Sequence, residues 1–183
     1  MELLLEGVAE VLPRPVDLPD VVEDGDTLEA NARLKAVAVC SATGLAAVAD
    51  DTGLFVDALA GEPGARSARF AGEDASYSDN LEMLLRELGG TLAGMRTARF
   101  RTVAMVYYPD GRELIATGTV EGHIAEVPSG TGGFGYDPVF VPVEGDGATF
   151  AEMGDDKHRF SHRGRALRAL VSMLNTPPVS EAG

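Results

Sequence analysis

Leu45-Ala46-Ala47-Val48-Ala49-Asp50-Asp51-Thr52-Gly53-Leu54 is the stretch around which the chain is organised. Its apolar opening, with Val48 near the centre, is too brief for a helix and suits a buried strand. Two adjacent carboxylates follow, then a Thr-Gly pair that can turn the backbone sharply. Open α/β sheets bind ligands beyond the carboxyl ends of their strands. Asp50 and Asp51 placed there suit Mg²⁺, a hard ion that takes oxygen ligands and shares them with phosphates.

Upstream, Asp26-Thr27-Leu28-Glu29 has capping-box spacing with an acidic cap. It predicts a helix through Ala42, closed by Gly44 at C′. Lys35 lies inside that helix, where residue type alone makes it a solvated lysine. Further upstream, Leu4, Leu5 and Val8 share a face in a helical segment over Met1 to Val11, which Pro13 and Pro15 stop. Asp17 to Asp26 is an acidic loop.

Downstream, Phe55-Val56-Asp57-Ala58-Leu59 reads as a second strand or a short extension. A Gly/Pro loop from Gly61 then leads to Arg66 and Arg69. Leu81, Leu84, Leu85 and Leu88 form a helical stripe ended by Gly89 and Gly90. From Ala98 to Tyr108 the pattern alternates, with Phe100, Thr102, Ala104 and Val106 on one side. Pro109-Asp110-Gly111 is a turn, and Glu113 to Glu126 returns as strand. A hairpin after an α/β beginning predicts an α/β fold whose β-sheet is mixed rather than purely parallel.

The 183 residues suit one domain over residues 1–175, with a frayed tail over 176–183. A hydrophobic fraction of 45% with 24% charged residues is ordinary for a globular protein. The formal charge of −14 argues against a nucleic-acid partner, which calls for a basic face. It leaves a nucleotide open, because a metal ion and a few local cations can reverse the sign of a pocket. The single cysteine, Cys40, excludes an internal disulfide and fits a reducing compartment. No apolar run approaches ~18 residues, and the start lacks the flanks of a signal peptide, so we expect a cytoplasmic protein with no membrane span.

Two later stretches carry chemistry. In Ser129-Gly130-Thr131-Gly132-Gly133-Phe134-Gly135-Tyr136-Asp137-Pro138, three glycines match the letters of the dinucleotide fingerprint. Asp137-Pro138 and the β-rich Val139-Phe140-Val141 follow where that fingerprint requires a helix, so the match fails. What remains is a flexible loop with two aromatics that can stack on a nucleobase, or a tight turn with its aromatics in the core. The second stretch is Asp155-Asp156-Lys157-His158-Arg159-Phe160-Ser161-His162-Arg163-Gly164. It precedes a helix with Leu167, Leu170, Val171 and Leu174 on one face. Ser161 as N-cap places His162 and Arg163 in the first turn, beside exposed amides suited to a phosphate or a base carbonyl.

These three motifs, in this order and spacing, resemble the inosine/xanthosine triphosphate pyrophosphatase family. Asn31-Ala32-Arg33-Leu34-Lys35-Ala36 and Ser67-Ala68-Arg69 agree as well, and the likeness runs from about Asp17 to Leu174. The resemblance implies hydrolysis of non-standard purine nucleoside triphosphates (ITP, dITP, XTP) to the monophosphate and pyrophosphate with Mg²⁺. It implies an elongated mixed sheet flanked by helices, with two lobes around a central cleft, in a homodimer. It makes Asp51 the essential carboxylate and metal ligand, supported by Asp50, with Glu23 as a second acidic ligand. Lys35 becomes a phosphate contact and Phe134 the base-stacking ring. Thr52, Gly135, Tyr136, Asp137, Lys157, Ser161, His162 and Arg163 then line the nucleotide pocket.

Family members begin with a strand and a Thr/Ser-x-Asn-x-x-Lys loop that grips the triphosphate, and neither precedes the first helix of this sequence. The competing expectation is therefore a non-catalytic nucleotide-binding protein, and a more distant one is a metal-dependent phosphatase acting on another metabolite. Donors such as Arg163 and His162 favour the 6-carbonyl of hypoxanthine and xanthine over the 6-amino group of adenine.

Overall fold

The computed structural model describes residues 8–154 and 160–175. Within them lie helix α1 (Leu28–Thr43), strands β1 (Ala47–Val56) and β2 (Pro63–Gly64), helix α2 (Tyr77–Glu87), strands β3 (Thr97–Tyr107), β4 (Glu113–Ile124) and β5 (Phe140–Pro142), and helix α3 (His162–Leu174). The sheet order is β2-β1-β3-β4-β5. The expected α/β layering of a sheet flanked by helices is present. Strand direction is simpler than expected, since each of the four pairings among the described residues is antiparallel.

The helix ends follow local chemistry. The cap of α1 is Thr27, whose hydroxyl accepts from the Ala30 amide, rather than Asp26. Gly44 closes the helix at φ 69°, where its amide reaches the Cys40 carbonyl and a side chain would be strained. Helix α2 begins earlier than its leucine stripe, because Ser76 and Asp79 form a reciprocal capping box. Residues 8–11 are not helical, and the rest of that expected segment lies outside the described residues, as does the tail from Thr176.

The deciding stretch departs most from expectation. Strand β1 does not end before the carboxylates but runs straight through Asp50, Asp51, Thr52 and Gly53 to Val56. Gly53 makes no turn. A Cβ there would lie 2.3 Å from the Gly64 carbonyl oxygen, so glycine is what lets β2 cross so close. Asp57–Leu59, expected as strand, is a single 3-10 turn.

Strand alternation then assigns two faces. Ala49, Val103 and Met105 meet the apolar side of α1, whereas Val48, Ala104, Val106 and Ala116 meet α3. Beyond Gly53 the core changes partners. Leu54, Val56, Phe100 and Val120 pack with α2 and with Tyr136, Val139, Phe140 and Phe150 from the glycine loop and β5. Asp50, Asp51 and Thr52 thus sit at the seam between a half of the sheet held between α1 and α3 and a half packed against α2 and the glycine loop.

Candidate active site

Because neighbouring residues of a strand point to opposite faces, Asp50 and Asp51 carry their carboxylates into different surroundings. Asp51 faces α1. Lys35, one turn beyond Asn31 on that helix, brings its Nζ to 2.8 Å from Asp51 Oδ1 and 3.0 Å from Glu23 Oε2. The lysine is therefore not solvated but holds two carboxylates from separate segments. Asn31, only 1% exposed, accepts from the Gly25 amide at 2.9 Å and donates to Asp51 Oδ2 at 3.4 Å. It ties the acidic loop to the strand. Arg69 donates to the Glu23 carbonyl and holds that loop from the other side.

Burial pushes the Asp51 carboxyl up to about 6 against the pull of Lys35, and the neighbouring Glu23 carboxylate adds to the rise. Burial alone would lower Lys35, yet its two acidic partners hold the ammonium above its ordinary value. The cluster thus pairs one cation with two crowded anions. Among the described residues no three carboxylate, imidazole or thiol groups converge as a metal centre. Glu23 and Asp51 nonetheless fit a hard divalent ion: both are oxygen donors, and both already face one cationic centre. Mg²⁺ is commonly held by one or two carboxylates with substrate phosphates completing its shell. Asp50 does not belong to this set.

On the opposite face, Asp50 pairs with Arg163 of α3, Oδ1 to Nη2, at 2.7 Å. Ser161 caps α3, accepting from the Gly164 amide at 3.1 Å, as its position predicts. His162 follows in the first turn, with Nδ1 2.7 Å from the hydroxyl of buried Thr102. That hydroxyl lies 2.7 Å from Thr52 Oγ1. The His162 ring stacks on Phe100 at 5.0 Å between centroids. Thr52 is thereby linked to the Ser161-His162-Arg163 turn, not to the Asp51 cluster.

The glycine loop divides its residues between surface and scaffold. Phe134 is 65% exposed, with Tyr77 of α2 tilted beside it at 6.1 Å. Asp137, 2% exposed, accepts from the Phe134 amide at 2.8 Å and so sets the loop that presents the ring. A Cβ at Gly133 would lie 2.1 Å from Asp137 Oδ2, and its φ of 73° favours glycine as well. Gly135 sits at φ 60°. Tyr136 is buried and donates its hydroxyl to the Ser67 carbonyl at 2.9 Å, which makes it a tie between loops rather than an open stacking surface. Lys157 lies outside the described residues.

Reading the sequence singled out Asp51, Lys35 and Glu23, which the structure gathers, and missed Asn31 and Thr102 as site residues. Both had a visible signal: each is a polar residue at an inward position of an otherwise apolar pattern.

A model of the Ham1 family matches residues 2–173. The dITP/XTP pyrophosphatase of Symbiobacterium thermophilum is 46% identical over 182 residues, covering 98% of this chain and 89% of that protein. The dITP/XTP pyrophosphatase of Thermus thermophilus is 50% identical over 159 residues, covering 85% and 75%. Among solved structures, a HAM1 protein from Coxiella burnetii superposes with a TM-score of 0.80 at 39% identity, covering 86% of this chain and 81% of the other. Identity approaching one half along nearly the whole chain, on a shared fold, means that this chain belongs to the Ham1 family.

Proposed function

We infer that the chain is a nucleoside triphosphate pyrophosphatase that converts dITP, ITP and XTP to the monophosphate and pyrophosphate. The observation that carries this reading is the placement of Lys35 between Glu23 and Asp51. Lys35 on α1, Asp51 on β1 and Glu23 on the loop tied down by Asn31 and Arg69 can receive a phosphate chain and its counter-ion, and similarity to proteins named dITP/XTP pyrophosphatases supplies the substrate class.

Asp51 orients a water molecule and takes its proton as the water oxygen bonds to the α-phosphorus. The bond from that phosphorus to its bridging oxygen breaks, and pyrophosphate leaves with the electron pair. Before a metal ion binds, a carboxyl raised to about 6 is a stronger base than an ordinary aspartate while remaining ionised at neutral pH, and Mg²⁺ on the same carboxylate would draw that value back down. Glu23 and Asp51 would hold Mg²⁺, which when bound neutralises phosphate oxygens and lowers the pKa of its water. Lys35 stabilises charge on the phosphates. Asn31 fixes the Asp51 carboxylate through one oxygen, leaving its rotation restricted.

Phe134 stacks on the purine, with Asp137 and Gly135 holding the loop, while His162 and Arg163 donate to the 6-carbonyl. Lys157 and Ser161 belong to the same pocket, Ser161 by capping the helix that carries these donors. The protein works as a cytoplasmic homodimer in this reading. Pyrophosphate release from dITP with Mg²⁺ is the test. Binding without turnover would favour a non-catalytic nucleotide-binding protein, and inorganic phosphate as the only product would favour a phosphatase.

A further inference from the structure

The 3-10 turn Ser67–Arg69 touches both halves of the site. On the acidic side, the Arg69 guanidinium donates to the Glu23 carbonyl. On the side of the glycine loop, the Ser67 carbonyl accepts from the Tyr136 hydroxyl at 2.9 Å. We propose that this turn is a brace that holds the Glu23 loop and the Phe134 loop in register, with Arg69, Tyr136 and Asn80 as positioning residues. This rests on the function inferred above, in which the first loop helps to hold the metal ion and the second stacks on the base.

A brace works only if it is itself fixed, and two side chains fix this one. The Ser67 hydroxyl donates to the Gly64 carbonyl at 2.7 Å and accepts from the Leu54 amide at 2.8 Å. Leu54 follows Asp51 on β1, so the turn is referenced to the strand that carries the reacting carboxylate. From α2 comes Asn80, only 2% exposed. Its amide group donates to the Ala68 carbonyl at 2.9 Å and accepts from the Ala71 amide at 2.8 Å. Removing it leaves two backbone groups without that partner, a costly loss at a buried position.

Each loop depends on a hold from outside. Residues 19–25 have no regular secondary structure. Asn31 grips the Gly25 amide at 2.9 Å and Arg69 grips Glu23 itself, whose carboxylate then reaches Lys35. In the glycine loop, Gly130, Gly133 and Gly135 all stand at positive φ, on a backbone with little conformational preference of its own. Backbone bonds from Ser129 to Pro138 and from Gly132 to Ala151 tie it to neighbouring segments. The Tyr136 hydroxyl carries the tie across to the turn.

The need for a common brace follows from the substrate. A ribose of fixed dimensions joins the purine to the α-phosphate, so the stacking ring and the carboxylates must stand at one separation. A misplacement of ~1 Å in such a site can cost about 10²-fold in rate.

The test uses Arg69→Ala, Tyr136→Phe and Asn80→Ala, with Arg69→Lys as the conservative rescue. Mn²⁺, which takes the same oxygen donors as Mg²⁺, is titrated by electron paramagnetic resonance. Inosine monophosphate is titrated by calorimetry, and amide hydrogen exchange follows both loops and β3. We expect Arg69→Ala to weaken Mn²⁺ about tenfold, to speed exchange over residues 19–25, and to spare the monophosphate. Arg69→Lys, which keeps a donor, should recover part of the loss. Tyr136→Phe should weaken the monophosphate about fivefold or more, speed exchange over residues 130–137, and spare Mn²⁺. Asn80→Ala should loosen both loops and weaken both ligands while β3 stays protected. An Asn80→Ala protein that loosens one loop or neither overturns the brace, as do Arg69→Ala and Tyr136→Phe proteins with equal losses for both ligands. Should Asn80→Ala expose β3 and so fail to fold, the crossed pattern of the two end variants decides. Failure of the parent to release pyrophosphate from dITP would overturn the inferred function instead, and the exchange pattern would still judge the brace.

Discussion

Asp51 and Asp50 are chemically identical, adjacent, and placed in different environments by the two-residue period of a strand. Asp51 is crowded by Glu23 and held by Lys35 and Asn31, while Asp50 neutralises Arg163 on the far face. Asp51→Asn should therefore lower kcat for dITP by about 10²- to 10⁴-fold, the usual worth of a positioned base. Thermal unfolding and circular dichroism should show the fold retained, since the side chain is nearly isosteric. Asp50→Asn should leave far more turnover, and equal losses in the two variants would remove the distinction. Phe134 supports a separate prediction because it is exposed and bears little of the core. Phe134→Ala should cost inosine monophosphate about 1–3 kcal/mol of binding by calorimetry and leave pyrophosphate binding unchanged. Equal losses for both ligands would make the ring a part of the scaffold.

At the scale of elements, what positions His162 and Arg163 is the close approach of α3 to β4, and Gly118 permits it. Gly118→Ala must push back His162 and Ala166 backbone atoms, which cannot swing aside as a side-chain tip could. The expected cost is about 1–3 kcal/mol, the usual range for overpacking. Gly94→Ala, where nothing lies within 4 Å of the new methyl, serves as the control in a denaturant titration. Parity between the two would mean that α3 is free to shift. Elements differed in how legible they were. The alternation through Phe100, Thr102, Ala104 and Val106 gave β3 and its face correctly, because one side of that strand is uniformly buried. The α1 stop at Gly44 and the Ser161 cap were likewise local signals. Strand β1 was not legible in full, since Asp-Asp-Thr-Gly has the composition of a loop. Only the tertiary partners Lys35, Arg163, Thr102 and the Gly64 backbone make it strand. The same limit hid the division of site residues between two faces: a sequence lists Asp50, Asp51 and Thr52 together, and the pleat separates them.

For the whole molecule, the Asp51 cluster should link stability to both pH and Mg²⁺. An ordinary aspartate in the unfolded chain titrates near 3.8, whereas folded Asp51 stands at about 6. Between these values the folded state binds the extra proton, so this group favours folding at low pH and loses that contribution as pH rises through about 6. Several surface carboxylates act with the opposite sign. Asp57 is held low by its bonds to Thr97 and by Arg99, and Glu113 by Arg33. Their stabilisation is complete above the ordinary carboxylate range and is lost only as pH falls through it. The window from about pH 5 to 7 is therefore where Asp51 sets the slope. Without added metal, the melting temperature of the parent should fall across that window relative to Asp51→Asn, a comparison that cancels every other group titrating there. If Glu23 and Asp51 hold Mg²⁺ as proposed, the ion binds their ionised carboxylates in the folded state and must compete with the proton at the acid end. Its stabilising increment should accordingly be larger at pH 7 than at pH 5, following the mass action of a ligand for the folded form. Asp51→Asn should lose most of that increment at both pH values. A parent whose melting temperature rises across the window relative to Asp51→Asn would mean that Lys35 outweighs burial and Glu23. An Mg²⁺ increment unaffected by Asp51→Asn would move the metal to other residues.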